Sequence, residues 1–370
     1  MLHSASSSVH LVLLVCGLIS GAMPIPAQEP GKAAAPPLDS ASRRQVIDSV
    51  LKLLRETYVY PEVAQKMEAA IRERLRKGEY EDIGEGNLFA QRLTKNLQDV
   101  SHDKHLEVEY SSTALPEHNK APSAAEKAKT REAYRKRGEA VNWGFEKVER
   151  LSGNIGYLDF RFFADPELAG DTLASAMNFL GNTDALILDL RNNGGGQPTM
   201  VAVVCSYFFG PKPVHLSDLS WRPDNSTQQY WTMPYVPGKR YLDKDVYVLT
   251  SKETLSAAEG FAYDLKTHKR ATLIGETTAG YAHPGSNVRI NEHYSVIVPQ
   301  GRVINSVTKT DWEGTGVRPD IEVPAPLALK TAHVAALKKA LQKEMAEKRS
   351  KHVRAALVAA QKELDDLKNK

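Results

Sequence analysis

One arrangement recurs through the middle of this chain and limits what it can fold into: a short, largely apolar run followed by apolar residues at helical spacing. Ile155 to Phe160 and Ala271 to Ile274 read as strands, and Ala185 to Leu190 and Val246 to Leu249 as strands buried on both sides. Leu168 to Phe179 and Thr199 to Phe209 repeat with a helical period, and so do Ala257, Ala258, Phe261, Ala262 and Leu265. Strands alternating with helices predict an α/β fold whose sheet is largely parallel and closed by crossovers. Ligands of such sheets bind beyond the carboxyl ends of the strands.

The flanks read differently. Val9 to Ile19 is apolar but short for a bilayer span, and small residues follow it up to Ala27. Residues 1–27 are therefore expected to be a signal peptide, which implies export to a periplasm or out of the cell. Residues 28–41, rich in Pro, Ala and Gly, form a disordered lead-in. Ser42 and Gln45 suggest a capping box, and three amphipathic helices then carry Val46, Ile47 and Leu54, Met67 and Ile71, and Phe89 and Leu93. A strand beginning at His105 closes this N-terminal helical domain, residues 42–110. A charged linker, 111–142, is either a solvated helix or a loop. The core spans 143–326. The tail, 327–370, is an amphipathic helix or hairpin, either docked on the body or serving as an arm for homo-oligomer formation.

Composition removes some classes of function. The net charge of +3 over 370 residues, with no basic patch interleaved with aromatics, argues against a nucleic-acid partner. Cys205 is the single cysteine beyond the leader, so no internal disulfide forms there, and its apolar neighbours make it a packed thiol.

Chemistry gathers at three stretches. Ser256 stands between a strand and a helix, where free amides and the helix dipole stabilise negative charge; it is either a nucleophile or a plain N-cap. Gly194, Gly195 and Gly196 follow the strand ending at Leu190 and make either an anion-binding nest or a flexible turn. Their spacing fits neither a dinucleotide fingerprint nor a phosphate loop. Glu313, among glycines, either reaches into a site or is a surface carboxylate.

Together, Ser256-Ala257-Ala258-Glu259, the run Ile274 to Gly280, the run Asp189 to Gly196 and the run Trp312 to Asp320 resemble the tail-specific (C-terminal processing) serine peptidase family. The nearer branch is the one holding interphotoreceptor retinoid-binding protein repeats and the tricorn protease core. The resemblance implies a crotonase/Clp-protease-like ββα-spiral core with an N-terminal small helical bundle and a C-terminal helical extension. It implies protein or peptide substrates and neither metal nor organic cofactor. Tyr281 occupies the position of the processing branch's lysine base. The tricorn-like branch uses a histidine held by a glutamate, which maps onto His105 and Glu313, with His102 and His283 as alternative bases. The same resemblance assigns the oxyanion hole to the amides of Gly194 or Gly195 and of Ala257. Because one branch carries retinoids and fatty acids, a noncatalytic binder of a hydrophobic ligand, or of peptides, is the alternative.

Overall fold

A computed structural model describes residues 38–117, 123–343 and 347–369. The leader at 1–27 and residues 28–37 of the lead-in lie outside the described residues. Helix α1 (Ser40–Thr57) starts three residues earlier than the capping-box reading, because Asp39 and not Ser42 is its cap: the Asp39 carboxylate accepts from the Ser42 amide at 2.7 Å. Helices α2 (Pro61–Arg76) and α3 (Gly86–Ser101) complete a small bundle. Strand β1 (Glu107–Tyr110) begins after His105 rather than at it. Asp103 accepts the His105 amide at 3.0 Å, a local turn that keeps His105 out of the ladder. The charged segment that follows contains helix α4 (Ala124–Ala140), opened by a reciprocal Ser123–Glu126 cap.

The core then runs β2 (Phe145–Leu151), β3 (Ile155–Phe160), α5 (Pro166–Leu180), β4 (Ala185–Asp189), α6 (Pro198–Ser206), β5 (His215–Trp221), β6 (Ser226–Trp231), β7 (Asp245–Thr250), α7 (Ala257–Thr267), β8 (Thr272–Gly275), β9 (Gly285–Arg289), β10 (Tyr294–Pro299), β11 (Gly301–Asn305) and β12 (Ile321–Glu322). Six strands form the central sheet in the order β12-β8-β7-β4-β3-β2, parallel except for the β2–β3 pair. Two three-stranded antiparallel sheets, β1-β10-β9 and β11-β5-β6, stand beside it.

Apolar side chains on both faces of the central sheet explain why its strands lack a polar face. One face, with Leu186, Leu188, Val246 and Val248, packs on α5, α6 and α7 through Met177, Val204 and Phe261. The other, with Ile155, Ile187, Leu249 and Ile274, packs on α8 (Ala325–Lys343) through Ala328, Ala332 and Leu337. Helix α9 (Glu347–Lys368) adds Val353, Ala356, Ala360 and Leu364 to the same cluster. The tail is thus a hairpin that forms one layer of the core. The N-terminal bundle shares a third cluster with Val296 and Val298 of β10, which seats the α3–β1 turn beside the loop before β9.

Leu337 is fully buried under the sheet. Truncating it to alanine is expected to lower unfolding free energy by about 2–5 kcal/mol, read from the denaturant midpoint. An unchanged midpoint would mean that the hairpin is a detachable arm.

Candidate active site

Ser256 follows β7 and caps α7 with φ 54° and ψ −119°, a conformation that non-glycine residues rarely adopt. A buried carboxylate holds it there. Glu259, one turn into the helix, accepts the Ser256 amide at 2.8 Å and the Tyr281 amide at 2.9 Å on Oε2. Its Oε1 accepts the Thr278 hydroxyl at 2.5 Å and the Gly280 amide at 2.7 Å. Burial pushes the Glu259 carboxyl upward, and these four hydrogen bonds oppose that shift. The Ser256 turn and the segment 278–281 are therefore joined through one side chain.

The glycine loop abuts Ser256 from the other side. A Cβ on Gly195, whose φ is +91°, would lie 2.9 Å from the Ser256 Cβ and 3.0 Å from the Ala257 amide nitrogen, so only glycine permits this approach. Asn193, fully buried, shapes the loop: its Nδ2 donates to Phe160 O at 2.7 Å and its Oδ1 accepts the Gly195 amide at 2.9 Å. The Gly194 amide donates to Arg161 O at 3.1 Å. Among the described residues, the amides of Gly196 and Ala257 donate no hydrogen bond.

The structure brings His105, His283 and Glu313 together and adds Asp103 to them. His105 Nδ1 lies 3.7 Å from Glu313 Oε2 and 3.8 Å from Asp103 Oδ1, and its ring meets the Tyr281 ring edge-on with centroids 4.6 Å apart. Both His105 Nδ1 and Glu313 Oε1 are buried without a hydrogen-bond partner. Glu313 is fixed through Oε2, which accepts the amides of Ala282 at 2.5 Å and His283 at 3.0 Å. Tyr281 lines the same pocket as Ser256, so it connects the serine to His105. Its phenol is held above the ordinary range by burial and by the Glu313 charge, and stays protonated. No hydrogen bond joins the Ser256 hydroxyl to a histidine among the described residues. His102 is at the surface, as the left-handed C-cap of α3.

His283 is enclosed. Its Nδ1 bonds Asp103 Oδ2 at 3.1 Å, its Nε2 contacts the Tyr60 hydroxyl at 3.3 Å, and Asp311 lies 3.7 Å away. Burial works against its charge, but the bonds to Asp103 and Asp311 and the nearby Glu313 raise its pKa to about 9. It is a fixed cation at neutral pH. Asp103, His283 and Glu313 offer ligand atoms within 4.8 Å of one another, the dimension of a metal site, and His283 Nδ1 there bonds Asp103 and lies 3.7 Å from Glu313 Oε2. Asp103, Asp311 and Glu259 were not singled out from the sequence as site residues. For Glu259 a signal existed in the Ser-x-x-Glu spacing at a helix start.

The profile described as "Peptidase family S41" matches residues 154–323, and that described as "N-terminal domain of Peptidase_S41 in eukaryotic IRBP" matches residues 40–141. The chain belongs to peptidase family S41. A carboxy-terminal-processing protease of Bartonella bacilliformis is 27% identical over 186 residues, covering 48% of this chain and 41% of that protein. The chain spans about two fifths or less of the length of the curated relatives it matches. Mature CPAF superposes with a TM-score of 0.56 at 12% identity, covering 83% of this chain and 99% of that one. A photosystem II D1 C-terminal processing protease gives 0.51 at 15% identity, with coverage of 77% and 94%. The S41 fold is thereby shared.

Two measurements follow from the buried groups. His283 has a folded-state pKa near 9 against an ordinary 6.5, so its ion pairs stabilise the fold fully below pH 6.5 and are lost as pH rises through 9. Stability is expected to fall across that window by on the order of 3 kcal/mol, and His283→Asn is expected to flatten the profile. Urea midpoints that stay level or rise from pH 6 to 9.5 would contradict the ion pair. Replacing Glu259 with leucine leaves four donors unmatched, two of them in buried bonds, and is expected to cost about 3 kcal/mol or more, measured by thermal unfolding.

Proposed function

We propose that this S41 family member is a serine peptidase in which Ser256 attacks the scissile carbonyl, His105 takes its proton and Glu313 orients His105. The observation that carries the reading is the backbone of Ser256, held at positive φ on the first turn of α7 against the glycine loop. Strain of that kind persists only where the surroundings over-determine it, and it is found at sites that use it. At that position the attacked oxygen would meet the helix end and the amide of Ala257, joined by one from Gly194 to Gly196. Among the described residues, the Gly196 amide is the one in that run without an acceptor.

His105 suits a base better than His283. With Nδ1 beside Glu313, its Nε2 is the nitrogen available to a hydroxyl, whereas His283 carries its proton tightly among carboxylates. Contacts between nucleophile and base are often long without substrate and tighten in the complex. His105 would return that proton to the leaving amine as the acyl-enzyme forms, and in the second step would take a proton from the attacking water and give it to Ser256 Oγ as the acyl bond breaks. The relatives' names support protein or peptide tails as the substrate class, and the apolar leader read before Ala27 supports export.

Fluorophosphonate labelling of the purified protein is expected to be abolished by Ser256→Ala, to fall at least about a thousandfold in rate with His105→Ala, and to persist in His102→Ala. Folded wild-type protein that takes no label would contradict the nucleophile and favour a noncatalytic binder of apolar ligands on this fold.

A further inference from the structure

The pocket that opens at Ser256 runs along α7. Ala257, Gly260 and Asp264 recur every three or four residues and so form one strip of the helix, and Val201, Leu216 and Trp312 are among the apolar walls around it. Among the described residues that line this pocket, Asp264 is the one with an ionisable carboxyl. It is 3% exposed. Its Oδ1 accepts Asn305 Nδ2 at 2.9 Å, while its Oδ2 takes no hydrogen bond among the described residues, and no cationic side chain pairs with it. Burial pushes this carboxyl up to about 7, with the Asn305 bond pulling the other way. A carboxylate desolvated to this extent normally has a counter-charge or a full set of donors. This one has half a set and faces a cavity.

The dimensions fit a long side chain. From Ser256 to Asp264 the helix rises about 12 Å, and side chains tilt toward the helix N-terminus, which brings the carboxyl back toward the serine. A lysine chain reaches about 6 Å from its Cα, given bonds of about 1.5 Å, and a charged hydrogen bond adds about 2.8 Å. The bonds between that Cα and the attacked carbonyl take up the remainder. Gly260, midway along the strip, keeps the channel open: a Cβ there would lie 3.0 Å from the Trp312 ring.

We propose that Asp264 is a specificity-determining residue: the pocket receives the side chain on the acyl side of the scissile bond, and Asp264 Oδ2 pairs with a cationic tip, so lysine or arginine is selected at that position. The inference rests on Ser256 as the nucleophile beside this pocket. Apolar walls hold the methylene stem, and a ligand lacking the cation leaves Asp264 unpaired, which is the stronger source of discrimination.

The test pairs binding with turnover. 4-Aminobenzamidine and its neutral counterpart 4-aminobenzamide are titrated into wild type, Ser256→Ala and Asp264→Asn. The amidine is expected to bind wild type and Ser256→Ala at least about tenfold more tightly than the amide, with the preference lost in Asp264→Asn. With fluorogenic peptides, kcat/KM for lysine is expected to exceed that for norleucine by a similar factor, and Asp264→Asn to reverse the order. Equal binding of the two probes by wild type, or a wild-type preference for norleucine, would overturn the proposal; both comparisons stand even if the variant does not fold. Fluorophosphonate labelling run in parallel separates the two claims. An amidine preference without labelling supports the pocket and overturns the nucleophile, whereas labelling without any preference overturns the role of Asp264.

Discussion

The site depends on one buried carboxylate. Glu259 receives four hydrogen bonds, from the Ser256 and Tyr281 amides, the Gly280 amide and the Thr278 hydroxyl. Each of those donors is on a segment that would otherwise be a free loop. The serine turn is thus held in its strained conformation by a bond to the same group that shapes the segment after β8. Tyr281, fixed by this arrangement, supports the His105 ring, and the two residues after it present their amides to Glu313. Placing a carboxylate in the core is unfavourable unless every lone pair is used, and this one is fully satisfied.

Two histidines share one pair of carboxylates and differ in consequence. His283 is enclosed by Asp103, Asp311 and the Tyr60 hydroxyl, and its charge ties the N-terminal bundle to the core. His105 has a single ring nitrogen directed at Asp103 and Glu313, at distances beyond hydrogen bonding, and both it and Glu313 keep a buried unpaired atom. Unsatisfied buried groups are rare in folded proteins and each calls for an explanation, which the role proposed for His105 supplies. The bundle, the α3–β1 turn and the loop before β9 therefore each supply part of the same arrangement.

Much of this was legible in the residues. Largely apolar runs at β4 and β7 announce strands covered on both faces, and the structure supplies the two covers, α5–α7 and α8–α9. Ser256 was found at its strand–turn–helix position because that junction has a local signature. The carboxylates were not, since their roles arise from contacts between segments far apart in sequence. Asp103 reads as one acid in a polar stretch, and its meeting with His283 spans 180 residues. Asp264 looks like an exposed helix position until Asn305 covers it. The strand start at His105 was misplaced by two residues because a side-chain turn at Asp103 outweighed the apolar alternation.

The most direct measurement is a crystal structure of the protein after reaction with a peptidyl phosphonate carrying lysine at the position next to phosphorus. The account predicts phosphorus bonded to Ser256 Oγ, its oxygen facing the Ala257 and Gly196 amides, His105 Nε2 within hydrogen-bonding distance of Oγ, and the lysine tip beside Asp264. An unmodified Ser256, or an adduct whose nearest base is a residue other than His105, would contradict it.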